Sequence, residues 1–135
     1  MESEEICKDS QPWQWQEAIA SVAQVRCCLV EDRIWSVLWK RTVDQEFADF
    51  RELNEIEEKE CEWEKIELHR NLQDRLLTLC KILNIHSCCP EFLVTKGGDY
   101  VLVDLNPCGD WYGFFDDETH GEIADGIANM LADRA

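Results

Sequence analysis

Glycine is scarce in this chain, with only 6 among 135 residues. All six lie between residues 97 and 126. No G-x-x-x-x-G-K-[ST] motif or comparable glycine-rich loop occurs in the sequence. Loops of that type cradle phosphates with their backbone N–H groups. Their absence from the sequence excludes a P-loop phosphate site.

Long apolar segments are also missing. No run approaches the roughly 20 apolar residues that a membrane-spanning helix needs. Met1 is followed by acidic residues, whereas a secretory signal begins with a basic and then an apolar stretch. We therefore expect a cytoplasmic protein whose thiols are reduced.

Positive charge is in short supply. The chain has 13 Lys and Arg residues against 29 Asp and Glu residues, which gives a formal net charge of −16. Such a surface repels nucleic acid and anionic membranes, so we expect neither as a partner. A phosphate ligand could bind only through local basic groups or bridging metal ions. The few arginines near the expected site are therefore candidate phosphate ligands. Because 45% of the residues are hydrophobic, the chain can build a core.

Cysteine is abundant, with eight residues, but no C-x-x-C pair is present. The close pairs are the adjacent residues Cys27–Cys28 and Cys88–Cys89. Adjacent residues of a strand point to opposite faces, so the two thiols of a pair cannot easily reach one metal ion. Small buried side chains are the better interpretation.

Hydrophobic periodicity predicts two hairpins and two helices. A long polar segment, residues 41–60, is expected to be a loop that orders around a ligand or partner. A leucine stripe marks the first helix, and Thr119 with Glu122 could form a capping box for the second. The expected strands cover residues 24–30, 34–40, 90–96 and 99–105, and the expected helices cover residues 58–84 and 119–132.

This element order, β-β-loop-α-β-β-α, predicts an α+β fold. We expect a mostly antiparallel sheet with both helices packed on one face. The first hairpin turns at residues 31–33, and the second turns at Gly97 and Gly98, where a two-residue turn of the primed type is expected.

The segment YVLVDLNPCGDW, residues 100–111, carries the clearest chemical signal. Residues two apart in a strand share a face, so Asp104 and Asn106 should point the same way. Carboxylate and amide oxygens are ligands that Mg²⁺ prefers, and the preceding strand brings another carboxylate, Glu91. The pattern favours a magnesium–nucleotide site on a sheet. The alternative is that Asp104 and Asn106 only stabilise the turn at Pro107.

Five segments together resemble the C-terminal half of an ATP-grasp ligase, most closely the microviridin-type (graspetide) peptide maturases and more distantly the ribosomal-protein glutamate ligases. The likeness covers nearly the whole chain after residue 11. The matching segments are Pro12…Trp15-Gln16-Glu17…Ile19, Gln24-Val25-Arg26, Asp49-Phe50-Arg51, Glu91 and VDLNPCGDW.

The resemblance implies a ligase that activates a peptide or protein carboxylate as an acyl phosphate for attack by an amine or hydroxyl. Its cofactors would be ATP and one or two Mg²⁺ ions. The implied metal ligands are Glu91, Asp104 and Asn106. The implied catalytic residues are Arg26 and Arg51, with Arg26 also facing the phosphates. The implied adenine-side residues are Gln16, Glu17 and Ile19.

The chain departs from the family pattern at two metal positions. The family usually has Asp where this chain has Glu91, and Glu where it has Asp104. Residues 1–11 are polar and acidic, so we expect a flexible terminus there. The resemblance further implies that residues 12–135 are the C-terminal subdomain, without the N-terminal half of the full fold. A second chain or a second copy could supply that half.

Two hypotheses follow. The chain is either a fragment or subunit of an ATP-dependent ligase, or a catalytically inactive module that kept the fold for binding.

Overall fold

The computed structural model describes residues 16–40 and 63–135. Five strands and two helices make up this part of the chain. The elements are β1 (Ala23–Val30), β2 (Arg33–Lys40), β3 (Glu64–Ile66), α1 (Arg70–Leu83), β4 (Ser87–Val94), β5 (Tyr100–Asn106) and α2 (Asp117–Ala132). The expected loop at residues 41–60 lies outside the described residues.

The strands form one antiparallel sheet in the order β3-β2-β1-β4-β5. Two sequence-local hairpins, β1–β2 and β4–β5, are joined by the pairing of β1 with β4. This pairing makes β1 the central strand. Its side chains pack on both faces of the sheet, and all of its residues are buried except Arg26, which is half-buried.

The first expected helix is wrong at its start. Residues 64–66 form the edge strand β3, and α1 begins only at Arg70. The charged run before the leucine stripe continued a helical pattern in the sequence, but pairing with Ser36–Leu38 of β2 draws residues 64–66 into the sheet. At its other end α1 closes as expected near Asn84, which adopts a left-handed conformation with φ of 54°.

The fold class is confirmed as α+β, but the helices pack on opposite faces of the sheet rather than on one. Leu76 and Cys80 of α1 join a core cluster with Val25 and Leu29. Ile123 of α2 joins a second cluster with Cys28, among others. Odd and even positions of β1 point to opposite faces, so each helix covers the side chains that the other cannot reach.

The capping box expected at Thr119 and Glu122 is also wrong. Asp116 is the N-cap of α2, and its Oδ1 accepts a hydrogen bond from the Thr119 backbone N–H at 2.7 Å. The Thr119 hydroxyl instead accepts from Lys65 Nζ at 3.0 Å. Glu122 accepts from Trp35 Nε1 at 2.7 Å. Both side chains are thus used to hold α2 on the sheet.

No helix in residues 16–40 and 63–135 is long and apolar enough to cross a membrane.

Candidate functional site

A row of three charged residues, Arg26, Glu91 and Asp104, runs from the central strand β1 to the edge strand β5. It lies on the face of the sheet that α2 also covers. Arg26 of β1 lies opposite Glu91 of β4, and Glu91 lies opposite Asp104 of β5. Directly opposite residues of an antiparallel pair have Cβ atoms about 4.5–5.5 Å apart. The fold therefore places three sequence-predicted site residues side by side, although Arg26 and Glu91 are 65 positions apart in the sequence.

Asn106 lies on the same face, one step further along β5. It is opposite Cys89, two residues before Glu91. The pairing shifts between Glu91 and Phe92, so Val103 is an extra residue on β5. This bulge ends just before Asp104, and it sets Asp104 and Asn106 on the face of Glu91.

The Glu91 carboxylate is buried and held by two partners. Glu91 is only 7% exposed to solvent. Arg26 donates to Oε1 from Nε at 2.9 Å and makes a second contact through Nη2. Gln24 Nε2 donates to the other oxygen, Oε2, at 3.1 Å. Buried charge is tolerated here because an opposite charge and hydrogen bonds compensate it.

An aromatic ring covers the arginine. The Arg26 guanidinium lies 4.0 Å from the centroid of the Phe114 ring. Phe114 in turn packs edge-on against Trp63, with centroids 5.3 Å apart. A guanidinium that stacks on a ring and pairs with a carboxylate has a restricted orientation.

The turn after β5 lies tightly on the sheet. The Asn106 Oδ1 accepts a hydrogen bond from the Cys108 backbone N–H at 3.0 Å, which is the turn-stabilising role open to an Asx residue. Gly109 approaches Cys89 so closely that an added Cβ would be 2.2 Å from the Cys89 Cβ. Only glycine fits at this position without a shift of the turn.

The cysteines below and beside the row are core side chains, as expected. Cys27, Cys28 and Cys89 are buried. Burial raises the pKa of the Cys27 thiol to about 12. The hydrogen bond between Cys28 and Cys89, together with burial, raises the pKa of Cys28. Cys27 and Cys28 therefore stay protonated near neutral pH and behave as small apolar groups.

The remaining predicted residues are divided between described and undescribed parts of the chain. Gln16, Glu17 and Ile19 lie in the irregular segment ahead of β1, where Gln16 and Glu17 are exposed and Ile19 is half-buried. Arg51, with its whole Asp-aromatic-Arg segment, lies outside the described residues, as do Pro12 and Trp15. Their roles stay predictions.

The oxygen donors of the row fit Mg²⁺ in their chemistry. Glu91 and Asp104 are paired across β4 and β5, and Asn106 adds an amide oxygen on the same face. Within the described ranges no group of three His, Cys, Asp or Glu side chains is arranged to hold a metal ion. The predicted set contains two carboxylates and one asparagine, so it is not a group of that kind.

Two side chains at this site were not assigned by sequence reasoning. Gln24 lies two residues before Arg26 in the same strand, so the alternation of side chains could have placed it on the same face. Phe114 carries no such signal, because it lies in the irregular segment between β5 and α2.

Known structures resemble this fold. No protein-family model matches the sequence, and no curated protein matches it either. A RiPP-associated ATP-grasp ligase from Chryseobacterium gregarium, solved with ADP and a leader and core peptide, superposes with a TM-score of 0.73 at 18% identity, over 89% of this chain and 36% of the ligase.

Two further structures give the same result. The macrocyclase MdnC from Microcystis aeruginosa MRC, bound with precursor peptide MdnA, has a TM-score of 0.65 at 21% identity over 87% of this chain and 35% of MdnC. The ATP-grasp ligase PsnB, complexed with a phosphomimetic precursor variant, Mg and ADP, has a TM-score of 0.59 at 19% identity over 85% of this chain and 35% of PsnB. The chain thus spans about a third of the length of each.

Proposed function

We propose that this chain, which has the fold found within ATP-grasp peptide maturases, is a fragment or subunit of an ATP-dependent ligase. It would bind Mg–ATP at Glu91, Asp104 and Asn106. It would support acyl-phosphate formation on a peptide or protein carboxylate. One observation carries the proposal: strand pairing sets Glu91 between Arg26 and Asp104 on one face of the sheet, in a fold of this kind.

The residues of the row, together with Asn106 and Arg51, have separate roles in this proposal. Glu91, Asp104 and Asn106 would hold the metal. The bound Mg²⁺ would supply positive charge to offset the negative charge that develops during phosphoryl transfer. Arg26 would orient the transferring phosphoryl group, because a guanidinium fork matches phosphate oxygens. Arg51 would share this task.

The adenine side would be framed by Gln16, Glu17 and Ile19, which precede the strand of Arg26 in the chain. A peptide and a nucleotide are the proposed partners, since MdnC is bound with a precursor peptide and the Chryseobacterium ligase is in complex with ADP and peptides. A second chain or a second copy would complete the nucleotide cleft. A cytoplasmic location completes the proposal.

Calorimetric titration with ATP, in the presence and absence of Mg²⁺, tests the site. We expect saturable nucleotide binding that requires the metal. Asp104→Asn and Asn106→Ala should each abolish that binding while circular dichroism shows an intact fold. Asp99→Asn is the matched control, because Asp99 is an exposed acid just before the other end of β5. Metal-dependent binding that survives in both site variants would contradict the proposed site.

An inactive binding module is the second candidate, and a specific observation favours it. Both oxygens of Glu91 already accept hydrogen bonds, from Arg26 and Gln24. In a site that has lost its catalytic function, the Arg26–Glu91 ion pair would serve only to stabilise the fold. Absence of nucleotide binding up to millimolar concentration, equivalent to about −4 kcal/mol or weaker, together with a stable fold, would mean that the chain either is incomplete without its other half or is the inactive module.

A further inference from the structure

Gln24 is a buried polar residue beside the charged row. It is 5% exposed, and its side-chain amide donates to Glu91 Oε2 at 3.1 Å. It lies two residues before Arg26 in β1, so both side chains reach Glu91 from the same strand and the same face. A buried amide next to a buried carboxylate fixes the orientation of that carboxylate.

The two partners of Glu91 differ in charge. Arg26 is a cation on Oε1, whereas Gln24 is a neutral donor on Oε2. A divalent cation that approaches Glu91 is repelled by the guanidinium and competes with it for the carboxylate. The neutral amide offers no such repulsion, so its hydrogen bond can persist when a metal ion is bound.

We infer that Gln24 is a positioning residue, which holds the Glu91 carboxylate in the orientation that a metal ion shared with Asp104 requires. The inference rests on the proposed function. Partners that hydrogen-bond to ligating carboxylates set the ligand orientation, and their removal commonly costs 10–100-fold in metal affinity.

Metal selectivity should respond as well as affinity. Mg²⁺ demands a near-ideal octahedral arrangement, whereas Ca²⁺ accepts irregular geometry. A Glu91 side chain that has lost its Gln24 donor is less well oriented, and this should harm Mg²⁺ more than Ca²⁺. A role of Gln24 in packing alone would not change the ratio of the two affinities.

The experiment measures Mn²⁺ binding to the full chain by electron paramagnetic resonance, with Mg²⁺ and Ca²⁺ as competitors. Gln24→Met keeps the length of the side chain and removes the donor. Gln24→Asn keeps an amide that is one methylene too short to reach Glu91. Gln73→Met is the matched control, because Gln73 is a half-buried glutamine of α1 that donates to the Leu68 carbonyl at 2.7 Å, and Leu68 belongs to the core on the opposite face.

We expect both Gln24 variants to bind Mn²⁺ about 10-fold or more weakly, with a lower Mg²⁺-to-Ca²⁺ affinity ratio, and Gln73→Met to bind like the wild type. Wild-type affinity and selectivity in a folded Gln24 variant would overturn the inference and leave the proposed function standing. Failure of the wild-type chain to bind Mn²⁺, or unchanged binding in Asp104→Asn, would overturn the proposed function and the inference with it.

Discussion

Substitution of Gly109 by alanine tests how the turn after β5 rests on the sheet. The added Cβ would lie 2.2 Å from the Cys89 Cβ and 2.8 Å from its Sγ. Non-bonded carbon atoms settle at about 3.5–4.0 Å, so the turn or β4 must move by about 1.3 Å or more to accept the 2.2 Å approach. Neither side can yield easily, because the close atoms belong to a buried strand residue and to the backbone.

The expected cost follows from measurements on overpacked cores. Such substitutions destabilise by about 1–3 kcal/mol, and for a chain of this size each kcal/mol corresponds to about 4 °C in Tm. Gly121→Ala is the control: its Cβ would meet nothing within 4 Å, and it lies inside α2. Alanine is favoured over glycine in a helix by about 0.5–1 kcal/mol, so the control should be slightly stabilised.

Thermal unfolding followed by circular dichroism measures both variants. A double-mutant cycle with Cys89→Gly sharpens the test, since removal of the Cys89 side chain removes the two closest atoms. We expect the loss in the double variant to be smaller than the sum of the single losses. A Gly109→Ala protein as stable as the wild type, or strict additivity in the cycle, would refute the close packing of this turn on β4.

Two further predictions concern α2. Ile123→Ala should cost about 2–5 kcal/mol in urea unfolding because Ile123 is 0% exposed, whereas Leu131→Ala should be nearly neutral because Leu131 is 60% exposed. Equal losses would contradict the assigned face of the helix. The hydrogen bond from the Thr119 backbone lowers the pKa of Asp116, so Asp116 contributes stability above the usual Asp pKa of about 3.9 and loses it as the pH falls through the lowered value. Asp116→Ala should therefore lower Tm at pH 7, and the gap to the wild type should shrink in acid; a gap that is independent of pH would argue against the cap.

Local patterns in the sequence predicted most of the elements. The alternation of residues 24–30 and 34–40 depends on neighbours in the chain, and the strands lie within a few residues of their expected places. The two-residue primed turn expected at Gly97 and Gly98 was wrong, because the Gly98 backbone N–H donates to the Thr95 carbonyl and places Lys96 and Gly97 at the centre of the turn. Positive φ is found at Gly98, at 87°, and not at Gly97. The predicted start of the first helix was wrong because a contact between distant parts of the chain decided the conformation there. Pairing with β2, far away in the sequence, decided the conformation of residues 64–66.

In the candidate site, the shared face of Asp104 and Asn106 could be predicted from local sequence, because side-chain direction alternates along a strand. The strand before them suggested Glu91 as a further carboxylate, and the family resemblance added Arg26 to the same site. The residues that lie opposite one another on neighbouring strands could not be predicted in this way. The register of β1 on β4 joins residues 65 positions apart and brings Gln24 to Glu91, and no local pattern encodes a register between distant strands. The placement of the helices on opposite faces has the same origin, since each helix packs against side chains that the finished sheet presents to it.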